Sequence, residues 1–503
     1  MPIGDAELAE RVEEEAAVKA EEEATESTDT VARDFDVTDR AVMDRLSRVI
    51  GALGIDAVQA QIRSSVLVSG LGGLGIEIAK NIVLSGVKSL TVNDECVVTM
   101  HDLASQFFVR ETDIAKNRAA ASASRLQELN LYVRVKHTEE SLSQADLSFL
   151  AEFSVVILTD ALSLDIVRVV DAYCRSKGVH FIYANLLGVF GWTFVDFGSK
   201  FVVSDATGEE ARGGVITSSQ SVSGSILTLI ECAKRHDLDD GDVVVLSGGA
   251  EAGGTGGLPP RHATVKVIDQ LRFEVDGGEE EDDLAAGGRV NTFTQVKLPV
   301  TIAHDSFESS FSNPQFDELM HADFSKMEHP TAAFYAMRAI DLFGKRSSSE
   351  ASGAEPGSGD EPGGRGLSRL PRPWNDDDAS KVVELAQECH KSDYALNDPG
   401  GEKPYEELGS KCLDLIRLAS NTSAGYFAPL AAYLGGVVAQ EALKAISGKF
   451  MPIRQWCFVD ATEVVPCELG SRLTDHQSCT QPKTPYRSDA LQIILGATLL
   501  QVL

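Results

Sequence analysis

Gly70-Leu71-Gly72-Gly73-Leu74-Gly75 decides the fold, through what stands on either side of it. Before it runs Ser65-Val66-Leu67-Val68-Ser69, a short β-branched apolar stretch that predicts a buried strand. After it Ile76, Ile78, Ala79, Ile82 and Val83 recur at the spacing of a helix's buried face. Strand, glycine turn and helix together give a G-x-G-x-x-G its phosphate-binding context. The first glycine permits the tight turn, the second lets a phosphate approach the backbone, and the third packs helix on strand. Amides at the start of the helix then favour an anion. Gly70, Gly72 and Gly75 are therefore candidate nucleotide-binding positions. Asp94 joins them, because it ends the next strand, Ser89-Leu90-Thr91-Val92, where an acid often meets a ribose hydroxyl. The plainer reading is a glycine turn that only packs helix on strand.

From this centre the alternation of apolar strands and helical patterns extends over residues 41–200, which predicts a mostly parallel sheet covered by helices. The expected class is α/β, a Rossmann-like sheet with an inserted small β-rich domain and an inserted helical bundle. The β-rich insert is expected at 201–300, where Val243-Val244-Val245-Leu246, Ala263 to Ile268, Leu271 to Val275 and Thr292 to Leu298 are short strands between glycine or acidic turns. Cys232 within it reads as a buried apolar thiol. Residues 301–425 turn helical, with Phe334, Met337, Ile340 and Phe343 on one face. Arg346 to Gly366, rich in Ser, Gly, Glu and Pro, reads as a disordered insertion in that bundle. Residues 426–466 are expected to close the first domain with a helix and a strand, followed by a linker at 467–503.

Composition narrows the class. The net charge is −31 over 503 residues, and the arm at 1–40 supplies 10 of it, as 14 acidic minus 4 basic residues. That arm reads as disordered. So acidic a surface repels nucleic acid and anionic membrane, so neither is an expected partner. No apolar run reaches the roughly 18 residues of a membrane span, and no basic segment opens a signal peptide. The eight cysteines show no C-x-x-C or zinc spacing, which fits reduced thiols in cytosol or nucleus and no metal centre.

The run from Gly70 to Lys88 closely resembles the first nucleotide-fold half of eukaryotic ubiquitin-activating enzymes, which have a ThiF/MoeB-like adenylation fold. So do Asp102-Leu-Ala-Ser-Gln-Phe-Phe108, Asp113-Ile-Ala-Lys-Asn-Arg-Ala119 and Leu126 to Val133. Leu370-Pro-Arg-Pro-Trp-Asn-Asp376 follows the same pattern, and Leu434 to Ile453 with Gln455-Trp456 resembles that half closing. The resemblance covers roughly Leu46 to Pro466. It implies that 201–300 is the first catalytic-cysteine half-domain, which carries no thioester cysteine, and that 301–425 is the family's four-helix bundle.

The resemblance also implies a chemistry. In catalytic halves of this superfamily, ATP is held by the glycine turn, acids on the ribose side, an arginine and a lysine on the phosphates, and an aspartate for Mg²⁺. The cations offset the triphosphate while a modifier's terminal carboxylate attacks the α-phosphorus. Here Cys96 stands where active relatives have a second acid, and Ser105 where they have an arginine. Arg118 replaces the phosphate lysine, and Asp160 holds the metal position. The site is therefore expected to be vestigial, as the family's first half is commonly described to be. Leu46-Ser47-Arg48 aligns with the segment whose arginine crosses to ATP in the other, active half, which makes Arg48 a candidate trans contributor. Residues Arg487 to Leu491 resemble the opening of that active half, and the sequence stops before its glycine turn and cysteine domain.

The reading is thus a scaffolding half of a ubiquitin-activating enzyme. Its partners would be ubiquitin or a ubiquitin-like modifier and an active adenylation half, with ATP and Mg²⁺ bound mainly by the latter. A small subunit of a heterodimeric SUMO-type activating enzyme is the first alternative, opposed by the β-rich insert such subunits usually lack. A ubiquitin-binding regulatory module is the second. An NAD-dependent oxidoreductase is the third, opposed by the lack of a Tyr-x-x-x-Lys arrangement.

Overall fold

A computed structural model describes residues 40–142, 146–160, 163–221, 227–248, 261–276, 290–317, 323–351, 370–397, 405–465 and 494. The acidic arm before Arg40, most of the Ser/Gly/Glu insertion, and the linker apart from Ile494 lie outside the described residues. The chain divides into two compact units.

The first unit is drawn from the stretches up to Phe201, Ala303–Ser447 and Pro452 onward. It opens with helices α1 (Arg40–Leu53) and α2 (Ile55–Arg63), then strand β1 (Ser65–Ser69), helix α3 (Gly73–Ser85) and strand β2 (Ser89–Asn93). Helix α4 (Arg118–Leu129), strands β3 (Arg134–Thr138) and β4 (Val155–Leu158), and helix α5 (Leu164–Lys177) follow. Strands β5 (His180–Leu187) and β6 (Phe190–Asp196) complete this stretch. With β15 (Trp456–Asp460) they form a seven-stranded sheet in the order β15-β6-β5-β4-β1-β2-β3. Strands β5, β4, β1, β2 and β3 run parallel, whereas β6 and β15 add antiparallel pairings. β1 and β4 are covered on both faces, which is why Val66, Leu67 and Val68 and the run Val155 to Leu158 are apolar without alternation. The chain winds outward from β1 in both directions, so the gap between the carboxyl ends of β1 and β4 is the switch point where such sheets receive ligands.

Helix α6 (Phe307–Ser312), α7 (His329–Ala351), α8 (Asp376–Asn397) and α9 (Ser410–Thr422) make the helical part, and α10 (Ala428–Ser447) returns to the sheet. Helix α7 continues to Ala351, so the insertion expected from Arg346 begins later than its composition suggests: Ser347 to Ser349 extend the helix of the apolar face before them. Trp456 joins sheet to bundle. It is fully buried, with Phe194, Phe307, Phe334 and Phe458 within 4.8–5.7 Å between ring centres. Its indole N–H donates to Ser310 Oγ at 3.3 Å. Ile494, from the apolar terminal stretch, is buried in this same core.

The second unit, Val202–Ile302 with Gly448–Met451, is the expected β-rich insert. Strand β7 (Phe201–Val203) leads into β8 (Gly213–Ser221), β9 (Leu227–Cys232), β10 (Val243–Gly248), β11 (Arg261–Val267), β12 (Arg272–Asp276) and β13 (Val290–Val296). The last six close into a barrel in the order β10-β11-β12-β9-β8-β13, and β14 (Val300–Ile302) pairs with β7. Closure needs alternation, and β11 shows it, with Ala263 and Val265 inward between exposed neighbours. Ile230, Val244, Phe273, Val275 and Phe293 fill the interior. Cys232 is buried there, as a small apolar side chain.

Candidate functional site

The glycine turn lies at the switch point, between the end of β1 and the start of α3. Gly70 has φ +90°, and a Cβ there would strike the Thr159 carbonyl at the end of β4. A Cβ on Gly75 would strike the Gly70 carbonyl. Thr159 secures the turn by donating its hydroxyl to Gly70 O at 2.7 Å. So tight a turn aims the following amides outward, where an anion would meet them.

Those amides are already engaged by the protein. Leu71 N donates to Asp94 Oδ2 at 2.6 Å, and Gly72 N donates to Asp160 Oδ2 at 2.7 Å. Asp94 comes from the end of β2 and Asp160 from the end of β4. A Cβ on Gly73 would strike the phenol of Tyr426, and the Ser105 Cβ would lie 2.8 Å from it. Tyr426 belongs to the connection between α9 and α10 and is 6% exposed. That connection is tied to β5–β6, since Gly188 N donates to Gly425 O at 3.2 Å.

Arg118 begins α4 and is 2% exposed. Its Nε lies 2.9 Å from Asp94 Oδ2, its Nη2 donates to Asp94 Oδ1 at 3.1 Å, and its Nη1 donates to Asp102 Oδ1 at 3.0 Å. Burial penalises this charge, yet Asp94, Asp102 and Asp160 outweigh the penalty and hold its pKa well above the ordinary arginine value. Asp102 is fixed in turn by Thr99, whose N–H and hydroxyl both donate to Oδ2 at 2.8 Å. The Cys96 thiol, whose amide donates to Asp94 Oδ1 at 2.9 Å, is pushed up to about 11 by burial, so it stays protonated at neutral pH. Neutral Cys96 and Ser105 thus add no charge beside Asp94, Asp102 and Asp160.

The structure brings Gly70, Gly72, Gly75, Asp94, Arg118 and Asp160 together. Arg48 is exposed on α1, with no contact to this group among the described residues. Asp102 and Tyr426 are the members that sequence reasoning missed. Asp102 opens the stretch Asp102 to Phe108, and the need of a buried arginine for a second carboxylate was the signal available. Tyr426 carries no local signal, because the helical region and the barrel separate it from the turn in sequence.

ATP and Mg²⁺ do not fit this arrangement. The amides of Leu71 and Gly72 hold the carboxylates of Asp94 and Asp160, the nearby guanidinium is enclosed by Asp94 and Asp102, and Tyr426 stands against Gly73. A triphosphate would meet uncompensated negative charge. Among the described residues no group of three or more His, Cys, Asp or Glu side chains could hold a metal.

Sheet, switch-point turn and inserted barrel define the class: a Rossmann-like α/β unit that carries a separate β-barrel unit. The model of the ThiF family matches residues 44–464. Ubiquitin-like modifier-activating enzyme 1 of Oryctolagus cuniculus is 35% identical over 460 residues, covering 91% of this chain and 39% of that protein. Ubiquitin-activating enzyme E1 1 of Triticum aestivum is 35% identical over 432 residues, covering 84% and 37%. Ubiquitin-like modifier-activating enzyme 6 of Mus musculus is 33% identical over 462 residues, covering 91% and 39%. The chain belongs to the ThiF family, and these relatives within it are ubiquitin-activating enzymes. It spans about two fifths of the length of the curated relatives it matches.

Proposed function

We propose that this chain acts as a non-catalytic adenylation-fold half, scaffolding ATP-dependent activation of ubiquitin or a ubiquitin-like modifier by an active adenylation half. The observation that carries the reading is the enclosed Asp94–Arg118–Asp102 group, with the Leu71 and Gly72 amides held by Asp94 and Asp160. A site that stabilises a developing polyphosphate charge needs cations and amides aimed at an open space. Here they are aimed at carboxylates of the same chain. ATP and Mg²⁺ then belong to the active half, and Arg48, exposed on α1, is free to reach them across the contact between halves. The acidic surface speaks against nucleic acid or membrane as a direct partner, and the scattered cysteines fit work in cytosol and nucleus.

ATP–pyrophosphate exchange tests this. The purified chain with ubiquitin is expected to exchange no label and to form no thioester, and exchange is expected when an active half is added. Sustained exchange by the chain alone would overturn the reading.

A further inference from the structure

We infer that the glycine turn is plugged from within: Asp94, Asp160 and Tyr426 occupy, at three consecutive residues, the positions from which this fold grips a phosphate. Leu71 gives its amide to Asp94, Gly72 gives its amide to Asp160, and Gly73 has the Tyr426 phenol against its α-carbon. The three side chains come from three separate segments, the end of β2, the end of β4 and the connection before α10. A packing coincidence in one loop would not recruit all three. Two of them are anionic, so each carries a formal charge of the kind the helix start favours, without an exogenous ligand. Tyr426 completes the seal as bulk. Any side chain at residue 73 would meet its ring.

The plug is firmly held. Asp94 is also gripped by Arg118 and by the Cys96 amide, and Asn117 Nδ2 donates to its backbone carbonyl at 2.6 Å. Gly188 N ties the connection bearing Tyr426 through Gly425 O, and Gly425 N donates to Thr422 O at 2.7 Å. Asp160 sits at φ +55°, a left-handed conformation that turns its carboxylate back to the Gly72 amide. The fold thereby needs no nucleotide to satisfy its turn. The inference deepens the non-catalytic reading given above and rests on it for its setting, but it is a statement about binding and not about turnover.

Isothermal titration with inorganic pyrophosphate, and separately with Mg²⁺-free ATP, tests it on the full chain. The wild type is expected to bind neither in the millimolar range. Tyr426→Ala combined with Asp160→Ala is expected to gain pyrophosphate binding at least tenfold over wild type, whereas Tyr426→Phe, which keeps the bulk, is expected to gain none. A folded double variant that stays inert, or a gain in Tyr426→Phe, would overturn the plug. Hydrogen exchange on the wild type keeps the test independent of variant folding. The Leu71 and Gly72 amides are expected to be protected without ligand, and their free exchange would equally overturn it. Tight ATP binding by the wild type without pyrophosphate exchange would sink the plug and spare the scaffolding reading, whereas exchange would sink both.

Discussion

Arg118 Nη1 stands 3.0 Å from Asp102 Oδ1, with both side chains sealed from solvent. The same guanidinium meets both oxygens of Asp94. Its planar fork satisfies two carboxylates at once, which a lysine ammonium cannot reproduce in the same plane. An arginine in place of the phosphate lysine therefore serves a different task here, holding acids together within the protein.

Arg118→Met should leave Asp94 and Asp102 buried without their cation. Breaking a buried pair from one side costs about 3–5 kcal/mol. Urea unfolding should register a loss of that order, and adding Asp94→Asn and Asp102→Asn to the same variant should recover much of it. A loss under about 1 kcal/mol would show that water reaches the group.

Gly75→Ala and Gly73→Ala should differ in their rescue. A Cβ at residue 75 meets the Gly70 carbonyl, which is backbone and cannot swing aside. At residue 73 the obstacles are the Tyr426 side chain and, beyond it, the Ser105 Cβ. Both changes should destabilise by more than about 2 kcal/mol. Tyr426→Leu should relieve part of the cost of Gly73→Ala and none of that of Gly75→Ala, and a double-mutant cycle by chemical denaturation reads the coupling.

Asp171 on α5 predicts a pH dependence. Burial, with the charge of Asp196 second, lifts its carboxyl from 3.8 to about 8. The facing groups offer little relief. Arg175 Nη1 is committed to Asp196 at 2.6 and 2.8 Å, and burial holds His304 down at about 4 and His180 below its usual value. A folded-state pKa above the unfolded one means that the folded state binds the proton more tightly. Its contribution is fully present below about pH 4, falls as the pH rises, and is lost above about pH 8. Asp171→Asn keeps an acceptor for the Phe307 amide, which donates to Oδ2 at 2.8 Å in the wild type. Melting temperatures should then show a flatter profile between those limits and exceed the wild type at pH 8. An unchanged slope would assign the dependence to other groups.

Arg48→Ala should spare assembly and slow chemistry. In a reconstituted complex with an active half, adenylate formation should lose on the order of 2–4 kcal/mol of transition-state stabilisation, the usual cost of removing one charge-facing donor. Single-turnover kinetics on a complex verified by size exclusion measures it. An undiminished rate would make Arg48 an ordinary solvated helix residue.

The local pattern around Gly70 determined the fold class, because a buried parallel strand, a glycine turn and an amphipathic helix are short-range features written in consecutive residues. Composition likewise marked the β-rich insert at 201–300, which the structure bounds at Val202–Ile302 with a loop from Gly448 to Met451 added. The loop was illegible because strand periodicity says nothing of a distant segment, here bonded to residues 204–206. The helical reading stopped at Arg346 because Ser-rich composition masked a helix that continues to Ala351.

For the site, the sequence by itself determined which residue types stand at the glycine turn and which charges the usual phosphate site lacks. Only the tertiary structure decided what those residues do. Asp94, Asp102, Arg118, Asp160 and Tyr426 come from separate segments that meet where the sheet reverses its winding. Whether a carboxylate there faces a ribose, a metal or the protein's own amide depends on angles and distances between those segments. Amide donors accept whichever anion is nearest, and in this fold the nearest are the chain's own aspartates.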